Sequence, residues 1–152
     1  MSDSNPKSQF RPATLSDVAR IVKMLRQFYA KSGDIFGIPW DAESATETVI
    51  AAIERGACVI GAHSCAGAIF GKFPYNHSVT IAHVVFWYFT KAKEMPIFET
   101  LAEACHKAGC THINPSSLWP HNTIGRYYRK HSLREAETQW LGEIACITGR
   151  KD

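Results

Sequence analysis

At 152 residues the chain has the size of one domain, long enough to bury roughly two-thirds of its unfolded surface and build a core without staples. Hydrophobic residues at 45% and charged residues at 20% argue against disorder, and a formal charge of +3 is small for a dedicated nucleic-acid protein. Residues 1–9 are polar and no apolar run approaches the roughly 18 residues a membrane span needs, so the expectation is a soluble cytoplasmic protein with no signal peptide and no membrane partner.

Met1 to Ser8 read as a disordered tail, and residues 9–152 as a single domain. Gln9 to Arg11 reads as a first edge strand. Ser16-Asp17 then supplies N-cap chemistry for an amphipathic helix carrying Val18, Ile21, Val22, Leu25, Phe28 and Tyr29 at three- and four-residue steps, which stops at Ser32-Gly33. Asp34 to Trp40, apolar but with Gly and Pro, reads as a loop folded back over a cleft. Asp41-Ala-Glu-Ser44 opens a second helix with Ala45, Val49, Ala52 and Ile53 as its buried stripe up to Gly56.

Ala57 to Ala62 and Gly67 to Phe73 read as a β-hairpin around His-Ser-Cys-Ala-Gly, and Pro74 to Ser78 as a turn. Val79 to Phe89 is the longest β-prone run and reads as a central strand buried on both faces. A helix from about Pro96 to Ala108 follows, with Ile97, Leu101, Ala104 and Cys105 in register and Gly109 at its C-cap. Thr111 to Asn114 is a short strand, Pro115 to Pro120 irregular, and Asn122 to His131 a short helix rich in Arg, Tyr and Lys. Glu137 to Thr148 closes the sheet, with Trp140, Ile144 and Cys146 alternating against polar neighbours.

Five cysteines, an odd number without a tight repeat, read as buried thiols and not as a disulfide framework. Cys105, His106, Cys110 and His112 lie close in sequence but lack the paired knuckle spacing of a structural zinc site, so no metal is expected.

The order of these elements, the opening Phe10-Arg-Pro-Ala-Thr-Leu-Ser-Asp-Val18, the run Phe86-Trp-Tyr-Phe89 and the segment Tyr128-Arg-Lys-His-Ser-Leu133 resemble the GNAT superfamily of acyl-CoA-dependent N-acyltransferases. The resemblance spans roughly Gln9 to Ile147 and is nearest to the short form found in tailed bacteriophages. It implies an α/β (α+β) fold, with a mixed, mostly antiparallel sheet flanked by helices and splayed central strands. Tyr128 to Leu133 stands where the family has Tyr-x-x-x-Gly-Phe, with Ser132 for the Gly and Leu133 for the Phe.

The resemblance also implies a site. Acyl-CoA, the expected co-substrate, lies between the fourth and fifth strands of such folds, so Trp87, Phe89 and Thr90 would contact its pantetheine arm. Its pyrophosphate rests in the family on a Gln/Arg-x-x-Gly-x-Gly/Ala loop, because close approach of backbone to phosphate needs residues without side chains. Here the loop is Thr90-Lys-Ala-Lys-Glu-Met-Pro-Ile97, with no glycine, leaving Lys91 and Lys93 as point charges. Tyr128 would protonate the departing thiolate, and Asn122 resembles the Asn that precedes this tyrosine. Val84 stands where the family often has a Glu base. His83 beside it, set by alternation on the face of Trp87 and Phe89, and His121 are the rival bases.

Tyr29, Phe36, Trp40 and Tyr75, with Phe28 and Phe73, fall in the regions that line the acceptor side in this fold. Arg126, Arg129, Lys130, His131 and Arg134 form a basic ridge suited to the phosphates of CoA or of nucleic acid. The first reading is therefore transfer of an acyl group from acyl-CoA to an amine: a protein lysine, a small amine or a modified nucleobase. The alternatives are a non-catalytic protein of this fold contacting a host protein or nucleic acid, and a DNA-modifying enzyme using another donor or a metal.

Overall fold

The computed structural model describes residues 9–32, 37–116 and 123–134, which divide by contact into two units, 9–32 with 40–115 and 37–39 with 116 and 123–134. The expected tail, the closing strand and Phe36, His121, Asn122 and Cys146 lie outside the described residues.

In the first unit, strand β1 is Arg11–Pro12, displaced from the expected Gln9 to Arg11. The Ala13 N–H donates to the Cys58 carbonyl at 2.9 Å, so Pro12 faces away from β2 and its missing donor is harmless there. The first helix also begins differently from the expectation. Thr14, not Ser16-Asp17, opens a 3-10 turn, Leu15–Asp17, and the Asp17 carboxylate accepts the Thr14 N–H at 2.8 Å. Arg11 holds the same carboxylate in a fork, both contacts at 2.8 Å, and helix α1, Val18–Ser32, follows. Helix α2, Ala42–Arg55, is capped as the sequence indicates, with the Asp41 side chain accepting the Ser44 N–H at 2.7 Å.

Strand β2, Gly56–Ile60, turns into β3, Ser64–Phe73, through Gly61 to His63, where the Gly61 N–H meets the Ser64 carbonyl at 2.9 Å. Of the turn expected at His63 to Gly67, only His63 lies in the turn, and Ser64 to Gly67 are strand. The small residues there are packing sites: a Cβ at Gly67 would run into the Phe86 ring. Strand β4, Asn76–Phe89, starts three residues before Val79, since Phe73 pairs with Asn76 across Pro74 and Tyr75. Helix α3, Ile97–Lys107, ends where Gly109 takes φ +98°, and β5, His112–Asn114, follows.

The sheet order is β1-β2-β3-β4-β5, antiparallel except for the parallel pair β4–β5. Alternation along β2 sends Ala57 and Val59 to the face covered by α3, with Ile97, Leu101 and Cys105. Cys58 and Ile60 go to the face covered by α1 and α2, with Ile21, Leu25, Val49 and Ala52. The second unit holds helix α4, Thr123–Lys130. Among the described residues no helix is long and apolar enough to cross a membrane.

Candidate functional site

Strands β4 and β5 part company after three residue pairs. Ile81, Ala82 and His83 pair with His112, Ile113 and Asn114, and there β5 meets Pro115, which has no N–H to continue the ladder. Strand β4 runs on from Val84 to Phe89, and among the described residues no strand pairs with it on that side. A bulge in the β3–β4 ladder falls at the same place: Val84 pairs with Ala68 and Phe86 with Gly67, leaving Val85 as an extra residue, 42% exposed. Such an insertion bends and twists the strand. The result is a run of edge N–H and C=O groups onto which an extended amide-bearing chain can add as a strand would.

The bulge also shifts the alternation. Ala82 and Val84 pack on the α3 face, and beyond Val85 so does Trp87, whereas Phe86 and Tyr88 pack against α1 and α2. His83 pairs with Ile69, and its ring lies beside Gly71, on the opposite face from Trp87. The expectation that His83 shares a face with Trp87 and Phe89 is therefore wrong, because one extra residue inverts the parity between them. His83 is exposed, while Val84 packs against the core of the α3 face.

Trp87 stacks on Phe98 at the start of α3, ring centres 4.8 Å apart, and leans on Phe89 at 5.6 Å. Both are half-buried, so their rings form one wall beside the open edge. Thr90 is exposed, and its N–H donates to the His63 carbonyl at 3.2 Å. Lys91 and Lys93 are exposed on a 3-10 turn, Ala92–Glu94. Glu94 is 2% exposed, and its carboxylate accepts the His63 N–H at 2.8 Å. Sequence reasoning passed over this residue, although a lone acid between lysines and Met-Pro was a signal available to it.

Of the aromatic residues expected on the acceptor side, Tyr29 and Trp40 meet at 5.5 Å, and nearby Phe28 meets Tyr88 at 5.9 Å. Tyr75 does not join them. It is 92% exposed at the β3–β4 turn, set edge-on to Phe73 at 5.7 Å, and β4 carries Tyr88 about 40 Å further along at the usual rise per residue. Tyr88 is a residue the sequence reading missed. Its hydroxyl and the Trp40 Nε1 are buried and without a hydrogen-bond partner among the described residues.

In the second unit the Tyr128 hydroxyl donates to the Ser116 carbonyl at 2.8 Å, and burial, with Tyr127 adding, pushes its pKa well above the usual phenol range. Arg126, Arg129, Lys130, His131 and Arg134 are all exposed. The described cysteines are buried, and burial above all pushes Cys58 up to about 12 and Cys105 up to about 11, so they are thiols at neutral pH. Cys105, His106, Cys110 and His112 line a hollow of about 180 Å³, but among the described residues no three His, Cys, Asp or Glu side chains form a metal-ligand group.

Solved structures share this architecture. A predicted acetyltransferase from Clostridium acetobutylicum, solved with acetyl-CoA, superposes with a TM-score of 0.68 over 91% of this chain and 96% of its own, at 14% identity. The fold is that of the GNAT acetyltransferases. Two further GNAT-fold structures are an aminoglycoside acetyltransferase from a soil metagenome in complex with sisomicin and glucosamine-6-phosphate N-acetyltransferase from Arabidopsis thaliana. Their TM-scores are both 0.62, at 11% and 13% identity, covering 88% of this chain and 94% and 96% of theirs. No protein-family model matches the sequence, and no curated protein is significantly similar to it.

Against the requirements of a GNAT donor, the two halves of acyl-CoA fare differently. The open edge of β4 and the Trp87–Phe89 wall fit a pantetheine arm with its two amides. The segment before α3 does not fit a pyrophosphate, since it holds a buried carboxylate and the charged groups it exposes are two lysine side chains in place of a glycine-lined backbone.

Proposed function

We propose that the protein is an N-acyltransferase, moving an acetyl or related acyl group from an acyl-CoA-type thioester to an amine. The observation that carries this reading is the parting of β4 and β5, which opens the edge from Val84 to Phe89 in a GNAT fold. Trp87, Phe89 and Thr90 hold the pantetheine arm. Tyr128, protonated at neutral pH as tyrosines are, is the donor to the departing thiolate; burial makes it a weaker acid in the resting site, and it must give up the Ser116 carbonyl to act. His83, exposed on β4, is the base within the described residues, and His121 its rival outside them. The described thiols are protonated and buried, which favours direct transfer over a thiol-bound acyl intermediate.

Tyr29 and Trp40 form the acceptor wall, and an amine on a ring, as in the sugar substrates of the neighbours named above, suits their faces. A protein lysine, a small amine or a modified nucleobase in a phage-infected cell's cytoplasm would serve the same reaction as an amine acceptor. The test is calorimetric titration with acetyl-CoA and CoA, followed by thiol release on addition of amines. No binding at millimolar acetyl-CoA in low salt would sink the reading.

A second reading has its own observation. The exposed row Arg126, Arg129, Lys130 and Arg134 suits a non-catalytic protein that holds nucleic acid. DNA binding would then fall steeply with salt, and each arginine removed would reduce the salt slope by about one unit. Binding near background in both forms leaves the ridge as a solvated helix face.

A further inference from the structure

Resting on the acyltransferase reading, we infer that the donor is recognised through its acyl-pantetheine half alone, and that the nucleotide and its pyrophosphate add little. Lys91-Ala-Lys-Glu94-Met-Pro96 has the spacing of the Gln/Arg-x-x-Gly-x-Gly/Ala loop, with Glu94 and Pro96 at the two glycine positions. Pro96 has no N–H to offer. The Glu94 N–H is taken by the Lys91 carbonyl at 2.8 Å, that of Met95 by Ala92 at 3.1 Å, that of Phe98 by Met95 at 3.3 Å and that of Glu99 by Pro96 at 3.0 Å. Four backbone donors around the start of α3, those of Glu94, Met95, Phe98 and Glu99, are thus engaged inside the segment, and the second glycine position has none.

Charge points the same way. The Glu94 carboxylate is buried, so its field reaches a nearby anion with less screening than those of Lys91 and Lys93, which lie in water. The segment is also held in this shape. His63 is gripped from both sides, its carbonyl by the Thr90 N–H and its own N–H by Glu94. Remodelling the loop into a phosphate cradle would break that grip and leave a buried carboxylate without its donor, a costly state. Beside this closed end, the β4 edge is unpaired among the described residues and open to the two amides of the arm.

The experiment compares acetyl-CoA with acetyl-pantetheine on the unaltered protein, by calorimetry and by turnover, at low salt and at about 0.5 M salt. The two donors should bind within about threefold of each other at high salt, any surplus for CoA at low salt coming from Lys91 and Lys93 and screened away. In Glu94→Gln, which retains an acceptor for His63, acetyl-CoA should tighten roughly tenfold and acetyl-pantetheine stay unchanged. Acetyl-CoA binding more than about thirtyfold tighter at high salt would overturn the inference and leave the acyltransferase standing. An unchanged donor ratio in folded Glu94→Gln would overturn the role of its charge, and if that variant does not fold, the comparison on the unaltered protein decides. Failure of both donors to bind would overturn the acyltransferase reading itself.

Discussion

Tyr128 is fixed by a hydrogen bond that a catalytic proton donor would have to release, so its two roles separate in one substitution. Tyr128→Phe loses the contact to the Ser116 carbonyl, a loss of about 1 kcal/mol in stability. If the hydroxyl also protonates the thiolate, turnover falls roughly a hundredfold with little change in KM, because that interaction is made in the transition state. A lowered melting temperature with unchanged turnover would mean that the hydroxyl only anchors the helix.

Asp17 offers a pH test. Hydrogen bonds from Arg11 first, and then from Thr14, hold its carboxyl well below the usual carboxylate range. The sign follows from the depressed folded pKa: the stabilisation is complete above the unfolded value of about 4 and is lost as pH falls through it toward the lower folded value. Arg11 is 55% exposed, so its charge is screened and the hydrogen bonds carry most of the effect. Asp17→Asn should cost about 1 kcal/mol at pH 7 and clearly less near pH 2, where the unfolded carboxyl is already protonated, as read by chemical denaturation. Equal losses at both pH values would disprove the linkage.

At the scale of elements, helices α3 and α4 end in the same way. In α3 the Gly109 N–H meets the His106 carbonyl and that of Cys110 the Cys105 carbonyl. In α4 Ser132 and Leu133 repeat the pattern on Arg129 and Tyr128. The residue at the turn is left-handed in both, Gly109 at φ +98° and Ser132 at φ 62°, so the family's Gly in Tyr-x-x-x-Gly-Phe has a backbone reason. Ser132→Gly should stabilise the protein by about 0.5–1 kcal/mol and Gly109→Ala destabilise it by a similar amount, both measurable as shifts in melting temperature. No gain from Ser132→Gly would mean that local contacts of the serine offset its strain.

Elements with local signals were legible in the sequence: Asp41 as a cap, the stripe of α3, and Gly109. The bulge was not, because Val84 to Phe89 is uniformly apolar and aromatic around Val85 and no polar residue there marks the change of parity. The β2–β3 turn was misplaced for a related reason. Gly67 looks like turn chemistry, but its lack of a side chain makes room for the Phe86 ring across the sheet.

Across the whole molecule, the order of elements carried the fold, since each strand of the described sheet lies beside its neighbour in sequence. What the sequence withheld were contacts between distant residues. The grip of Glu94 on His63 joins positions 31 apart, and the pairing of Tyr88 with Phe28 spans a still longer loop of chain. Neither leaves a periodic trace. Tyr75 shows the converse: grouped with Tyr29 and Trp40 by residue type, it stands at the far end of a long hairpin.

The edge of β4 proposed for the donor is also a template for another polypeptide. Val84 to Phe89 is six uncharged, β-prone residues ending in four aromatics, with one side of its ladder open among the described residues. Two copies can therefore associate edge to edge when nothing occupies the strand, and light scattering of the ligand-free protein should rise with concentration and fall when thioester is added. Val85→Lys, at the exposed bulge, should suppress that scattering as a charged gatekeeper does, without loss of melting temperature. Scattering that ignores both thioester and lysine would mean the edge is not where the copies meet. If instead both suppress it, solubility and occupancy of the site rise and fall together, and the substrate acts as the protein's own protection against aggregation.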